Sequence, residues 1–154
     1  MVYRAGESAP LLRECRKIIC ILHRKKSWDI LEKNEDEGGG SMPFIDAKVS
    51  LPMAEEKKES VKAKLGQAIT TLNKSEGFLM VGFDDDYTLY MGGNKLEKGA
   101  FVSVSLFGNA SSDAYNKMTA QICDIFETEL GIPQDKVYVT YAGVSDWGWN
   151  GRNF

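Results

Sequence analysis

Between residues 43 and 154 this chain carries a strand-helix-strand pattern twice, and few folds accommodate that repetition. Alternating apolar and polar residues over Phe44–Leu51 predict a first strand, and the apolar run Phe78–Phe83 predicts a buried strand about 34 residues further on. The order returns from Phe101–Phe107 to Val137–Tyr141, about 36 residues apart. Tyr87–Met91 predicts an additional strand between the halves.

Each half places one amphipathic helix between its strands. From Ala54 to Asn73, apolar residues recur at spacings of three and four, and the opposite face is rich in lysine and glutamate. The second helix begins at the capping residues Ser111 and Ser112 and is stopped by Gly131. Because crossovers between parallel strands are right-handed, these tandem β-α-β units predict an α/β (α+β) fold. Its four-stranded mixed sheet would carry both helices on one face, and self-association would cover the other.

Charge and hydropathy argue against several partners. A formal net charge of −3 offers no broad basic surface to nucleic acid, and the densest basic patch falls within the first forty residues. The longest apolar run, Ile18–Leu22, is far below the roughly 20 residues that a membrane span needs. We therefore expect a cytoplasmic protein that binds neither nucleic acid nor membranes.

No metal centre is expected. Cys15, Cys20 and Cys123 do not form a disulfide framework, which favours a reducing compartment. Cys15, Cys20 and His23 are spaced like metal ligands, but a structural zinc takes four ligands and no fourth lies nearby. The acidic turn Asp84–Asp86 is interpreted as solvated.

Residues 1–42 differ in composition from the rest and are treated as a separate extension, largely disordered or forming a short helix. The extension ends in Gly38–Ser41, directly before Met42. Glycine codons begin GG, so this stretch would encode a purine-rich tract where a bacterial ribosome-binding site lies. Translation would then start at Met42, and the source would be a bacterium. An engineered fusion through a glycine-serine linker and a natural regulatory extension remain open alternatives.

Residues 43–154 contain few ordinary catalytic groups. They have no histidine and one cysteine, Cys123, which falls on the apolar stripe of the second helix and is expected to be packed there. Serine-histidine catalysis is therefore excluded. If translation starts at Met42, removal of the methionine leaves Pro43 with a free secondary amine. Burial would lower the pKa of that amine toward neutrality, which suits a general base.

Several motifs, in their order and spacing, resemble the macrophage migration inhibitory factor branch of the tautomerase superfamily from Pro43 to Phe154. They are Met42–Ile45, Lys74–Val81, Gly92–Gly93, Phe107–Gly108, Asp135–Val139 and Trp147–Phe154. The resemblance implies a homotrimer whose sheets line a central barrel, with sites between subunits. It also implies release from the cell by an unconventional route as a further option, as in the family.

The resemblance implies a cofactor-independent keto-enol tautomerase acting on a small enolisable carboxylate such as phenylpyruvate. Pro43 matches the catalytic amino-terminal proline, and Lys74 matches the lysine that holds the substrate carboxylate. Phe107 matches a pocket residue whose backbone positions the substrate. Tyr138 matches the tyrosine that the adjacent subunit contributes.

Other matched positions depart from the mammalian cytokine. Thr140 replaces an asparagine of the pocket, and Phe107 and Trp147 are bulkier than the usual isoleucine and valine. We expect Trp147, Trp149 and Phe154 to line the site, whose shape would be altered. Gly99 and Val102 replace the family's redox cysteines, so no thiol oxidoreductase activity is carried over.

Two other functional interpretations remain. The trimer would be a binding or signalling protein with vestigial tautomerase activity, or an engineered fusion with residues 1–37 as a grafted peptide. The state of Pro43 matters to all of them. If residues 1–42 stay attached, its nitrogen is a tertiary amide without a basic lone pair and cannot abstract a proton.

Overall fold

A computed structural model of the chain describes residues 42–153. The helices in this range are α1 (Glu55–Ala68) and α2 (Ser112–Leu130), with short 3-10 turns at Ile69–Leu72, Glu76–Phe78 and Gln134–Lys136. The strands are β1 (Pro43–Val49), β2 (Met80–Asp84), β3 (Tyr90–Met91), β4 (Asn94–Lys95), β5 (Ala100–Phe107), β6 (Val137–Val144), β7 (Gly148–Trp149) and β8 (Arg152–Asn153). The predictions made for residues 1–41 and for Phe154 concern positions outside this range.

The doubled pattern forms one four-stranded sheet in the order β2-β1-β5-β6. β1 runs parallel to β2, β5 runs parallel to β6, and the two units meet where β1 pairs antiparallel with β5. The predicted mixed sheet of tandem β-α-β units is confirmed. In its register, Pro43 at the start of β1 lies opposite Leu106, near the end of β5.

One face of this sheet carries the core. Burial alternates strictly along β1 and β5, and the inward residues pack with the buried residues of both helices. The fully buried positions include Ile45, Leu65, Ile122 and Phe126. Cys123 is buried there as expected, and burial raises the pKa of its thiol.

Helix α1 is shorter than predicted. The α-helix stops at Ala68 and continues as a 3-10 turn to Leu72, after which Asn73 takes a left-handed conformation with φ 55°. The β-branched run Ile69–Thr71 lowers helix propensity, and Thr70 Oγ1 donates to the Gln67 carbonyl at 2.7 Å. The chain therefore leaves the helix immediately before Lys74.

Helix α2 matches its sequence signals at both ends. Ser111 caps the first turn by accepting a hydrogen bond from the Ala114 N–H at 3.2 Å. Gly131 ends the helix at φ 66°, its N–H donating to Glu127 O at 2.9 Å. The bond from Gly131 to Glu127 is that of an αL cap, and the Ile132 N–H also donates to Phe126 O at 3.3 Å.

Two strand predictions need correction. The strand expected at Phe78–Phe83 is Met80–Asp84, and it is a partly exposed edge strand, because it pairs on one side only. Phe78 lies in the preceding 3-10 turn and is 52% exposed. Of Tyr87–Met91, only Tyr90–Met91 forms a strand, which pairs with Asn94–Lys95 around two glycines of positive φ.

The acidic turn has a structural use. Asp85 accepts a hydrogen bond from the Met53 N–H at 2.9 Å and forms an ion pair with Lys58 at 3.2 Å. These contacts, the backbone bond foremost, hold the pKa of Asp85 below its usual range. Within residues 42–153 no cluster of three metal-ligating side chains occurs. No helix in that range is long and apolar enough to cross a bilayer.

Candidate functional site

Pro43 lies on the wall of a cavity of about 820 Å³. The cavity is bounded by the start of β1, the turn that leads into β2, the end of β6 and the segment through β7. Pro43 itself is buried, and it is fixed in place by the pairing of β1 with β5. The first residue of a central strand therefore lines a half-open cavity in which a ligand of moderate size fits.

The walls of this cavity are mainly apolar. Phe78 and Trp149 meet edge to face, with ring centroids 6.1 Å apart and an interplanar angle of 87°. This contact holds the β7-β8 hairpin against the turn before β2, and Trp147 lines the same space. Of the described residues that line the cavity, Asp146 is the one with a charged side chain.

The chemical state of Pro43 depends on Met42, which also lines the cavity. While Met42 is attached, the proline nitrogen is an amide. Its removal would expose a secondary amine at an apolar wall. Low local polarity disfavours the charged ammonium, so burial lowers the pKa of such an amine and favours the form with a free electron pair.

Lys74, the second candidate site residue, is buried, with 7% of its surface exposed. Its Nζ donates a hydrogen bond to the Phe107 carbonyl at 2.9 Å. Desolvation lowers the pKa of Lys74 from its ordinary value. Both residues line a second cavity of about 250 Å³, together with Asn73 and Asn109. A cation with restricted access to water is well suited to binding a carboxylate.

The two cavities adjoin the same end of β5. Leu106 lies opposite Pro43 in the sheet, and the next residue, Phe107, accepts the Lys74 hydrogen bond. The loop that follows is held by the hydroxyl of Tyr115, which accepts a hydrogen bond from the Ala110 N–H at 3.0 Å. The structure thus groups Pro43 with the two tryptophans, and Lys74 with Phe107.

Tyr138 and Thr140 are not part of either group within one chain. They lie opposite Phe101 and Ser103 in the sheet, on β6. Tyr138 is five positions from the level of Leu106, roughly 16 Å at about 3.3 Å per residue. Its side chain is 59% exposed. A contribution to the site by these two residues would have to come from an adjacent subunit, and it stays a prediction.

Sequence reasoning missed several cavity residues, among them Phe78, Met80 and Asp146. Phe78 and Met80 were interpreted only as strand residues, although both belong to the motif that begins at Lys74. Asp146 directly precedes Trp147, and its position beside an expected lining residue was the available signal.

Comparison with known proteins assigns the class. The doubled sheet is also the fold of the solved structures that match this chain. The family model for macrophage migration inhibitory factor (MIF) matches residues 42–154. The chain therefore belongs to the macrophage migration inhibitory factor family. A search of curated proteins finds no match.

Solved structures agree with this assignment. Leishmania major MIF2 is 32% identical, with a TM-score of 0.71, and the match covers 75% of this chain and 100% of that one. A homologue from Prochlorococcus marinus is 25% identical over 72% of this chain and 98% of its own, with a TM-score of 0.66. The factor from Toxoplasma gondii is 22% identical over 72% and 99%, with a TM-score of 0.67, and shows the shared fold.

Proposed function

We propose that the chain is a cofactor-independent keto-enol tautomerase in which the amine of Pro43 is the general base. The observation that carries the proposal is the position of Pro43, buried at the first residue of β1 and facing the large apolar cavity. In this setting a secondary amine is neutral near working pH and abstracts a proton from carbon beside a carbonyl.

The substrate class is a small enolisable carboxylate such as phenylpyruvate. The ammonium of Lys74 attracts the substrate carboxylate. The ammonium is itself oriented by its hydrogen bond to the Phe107 carbonyl. An apolar substrate body packs beside Phe78 and Trp147. One relative in the fold, 14% identical, was crystallised after inactivation by 2-oxo-3-pentynoate, which is itself a 2-oxo acid.

The working assembly in this proposal is a homotrimer in the cytoplasm. The sheet face opposite the helices exposes large apolar side chains, including Met80 (69%) and Tyr138 (59%), and assembly would cover them. A relative with the same fold, 15% identical, is described as an asymmetric trimer of a fused 4-OT. Trimerisation would bring Tyr138 of one subunit to the Pro43 cavity of another.

The amino terminus decides the activity. The family match begins at Met42. The structural match to Leishmania major MIF2 covers 100% of that chain and 75% of this one. We expect the natural active form to begin at Pro43, and its intact mass would report the start directly.

The test compares three proteins of verified mass: the form that begins at Pro43, its Pro43→Gly variant, and the full chain of 154 residues. We expect the first to convert enol-phenylpyruvate to the keto acid, and the full chain to be slower by at least about 100-fold. Treatment with 2-oxo-3-pentynoate should label the peptide that begins at Pro43. Equal rates in the form that begins at Pro43 and in the full chain, whose Pro43 nitrogen is an amide, would remove Pro43 from the mechanism and favour the binding or signalling alternative.

A further inference from the structure

The cavity beside Pro43 contains one charged side chain that the proposed reaction does not use. Asp146 lies between β6 and β7 and lines the cavity beside Trp147. Its Oδ2 accepts a hydrogen bond from Ser145 Oγ at 2.7 Å. Among residues 42–153 the other side chains that line the cavity are uncharged, so Asp146 supplies a negative charge there.

The opposite charge lies in the smaller cavity. Lys74 is bonded to Phe107, one residue beyond the position that pairs with Pro43. A ligand that reaches from Lys74 past Pro43 therefore meets a cation at one end and an anion at the other. This polarity restricts where a negative group on the ligand can be placed.

We propose that Asp146 is a specificity-determining residue that limits the site to substrates with a single carboxylate and an uncharged, apolar remainder. This inference rests on the proposed function. A second carboxylate that enters the large cavity is repelled by Asp146 and loses hydration against the apolar walls. An aryl remainder has no charge to be repelled, and it buries its surface against rings such as Phe78.

The experiment compares two enolisable 2-oxo acids, phenylpyruvate with one carboxylate and oxaloacetate with two. We would measure kcat/KM for ketonisation of each enol by the form that begins at Pro43 and by its Asp146→Asn variant. We expect the variant to raise the ratio of oxaloacetate to phenylpyruvate kcat/KM by about fivefold at low ionic strength, because the repulsion is removed. The gain should shrink in about 0.5 M salt, which screens it.

The matched control is Asp135→Asn. Asp135 has a side chain that is 73% exposed and lies beside Lys136 at 3.3 Å, before β6, outside the cavity. This change removes the same formal charge from the chain, so the ratio should stay that of the unmodified protein. A rise equal to that of Asp146→Asn would show a general charge effect and would overturn the proposal.

The two proposals fail in different ways. If the unmodified form turns over phenylpyruvate but Asp146→Asn leaves the ratio unchanged, the role of Asp146 is wrong and the tautomerase proposal stands. If the unmodified form converts neither acid, the tautomerase proposal fails. Calorimetric Kd values for the two acids then test Asp146: a variant that binds oxaloacetate relatively more tightly supports its role, and an unchanged Kd ratio overturns it.

Discussion

The two strand-helix-strand units share a topology but differ in helix capping and in the extent of strand pairing. In the second unit, α2 is capped by Ser111 and Gly131, and β6 pairs with β5 along the whole of Ala100–Phe107. In the first unit, α1 begins without a side-chain cap and ends in a 3-10 turn, and β2 pairs with β1 over five positions only. The first unit is therefore the less regular half.

The two groups to which the proposal assigns the base and the carboxylate contact, Pro43 and Lys74, belong to this less regular half. Pro43 is the first residue of its first strand, Lys74 follows the loosened end of α1, and Phe78 lies in the turn before β2. The second unit supplies the Phe107 carbonyl that fixes Lys74. These proposed functional groups thus lie where regular secondary structure begins or ends, and the more regular second unit packs against them.

The largest expected effect is on stability, from truncating the core of α2. Ile122→Ala should cost more free energy of unfolding than Leu65→Ala in α1, although both residues are fully buried. Such changes cost about 2–5 kcal/mol, and the cost is lower where the surroundings collapse into the space. Urea unfolding at one protein concentration measures both. Equal losses would show that the two units are equally rigid.

Lys74→Met should separate binding from stability. We expect KM for phenylpyruvate to rise by about 10- to 100-fold, because a charged hydrogen-bond donor to the carboxylate is lost. Stability at neutral pH should hold or increase, since burial of the ammonium is unfavourable. Exposed Lys117→Met is the control and should change neither quantity.

The pH dependence of stability has a definite sign at this site. Desolvation lowers the Lys74 pKa, so below its ordinary value of 10.5 the unfolded chain binds more protons than the folded one. The unfavourable contribution of Lys74 is therefore present at neutral pH and is relieved as the pH rises toward 10.5. The unmodified protein should gain stability relative to Lys74→Met between pH 8 and 10. Parallel curves over that interval would contradict the burial of a charged Lys74.

The sequence predicted those features that local signals determine. Ser111 and Gly131 mark the ends of α2 in any context, and the spacing of the strands indicated the doubled sheet. The 3-10 end of α1 and the edge position of β2 depend on packing between segments, which periodicity does not report. For the same reason the Lys74 bond to Phe107 could not be predicted: it joins residues 33 positions apart through sheet register.

Alanine substitutions at one glycine of each unit should have different effects on stability. A Cβ at Gly143 in β6 would collide with the Asn109 side chain and with the backbone carbonyl of Gly108, so Gly143→Ala should cost about 1–3 kcal/mol. A Cβ at Gly66 in α1 would meet the side chain of Glu76, which is free to rotate away. Since alanine favours a helix over glycine by about 0.5–1 kcal/mol, Gly66→Ala should be neutral or stabilising. Thermal unfolding of both variants decides this, and a costly Gly66→Ala would show that α1 is tightly packed.

The smallest expected effect concerns the ion pairs that join the two helices. Glu129 in α2 meets Lys64 of α1 at 2.7 Å and Lys57 at 3.2 Å. Hydrogen bonds from Lys64, Lys57 and Ser60 lower the pKa of Glu129 from 4.5 to about 2. Between these values the unfolded chain binds more protons, so the stabilisation is present above pH 4.5 and is lost as the pH falls toward about 2.

Glu129→Gln removes this dependence, so its unfolding midpoint should fall below that of the unmodified protein at neutral pH and approach it in acid. The difference should be small, because the lysines are largely exposed and their attraction is screened. About 0.5 M salt should reduce it further. Denaturant unfolding at pH 7, 4 and 3 measures the effect. If the two proteins lose stability in parallel as the pH falls, Glu129 does not couple α1 to α2, and the looseness of the first unit extends to this helix contact.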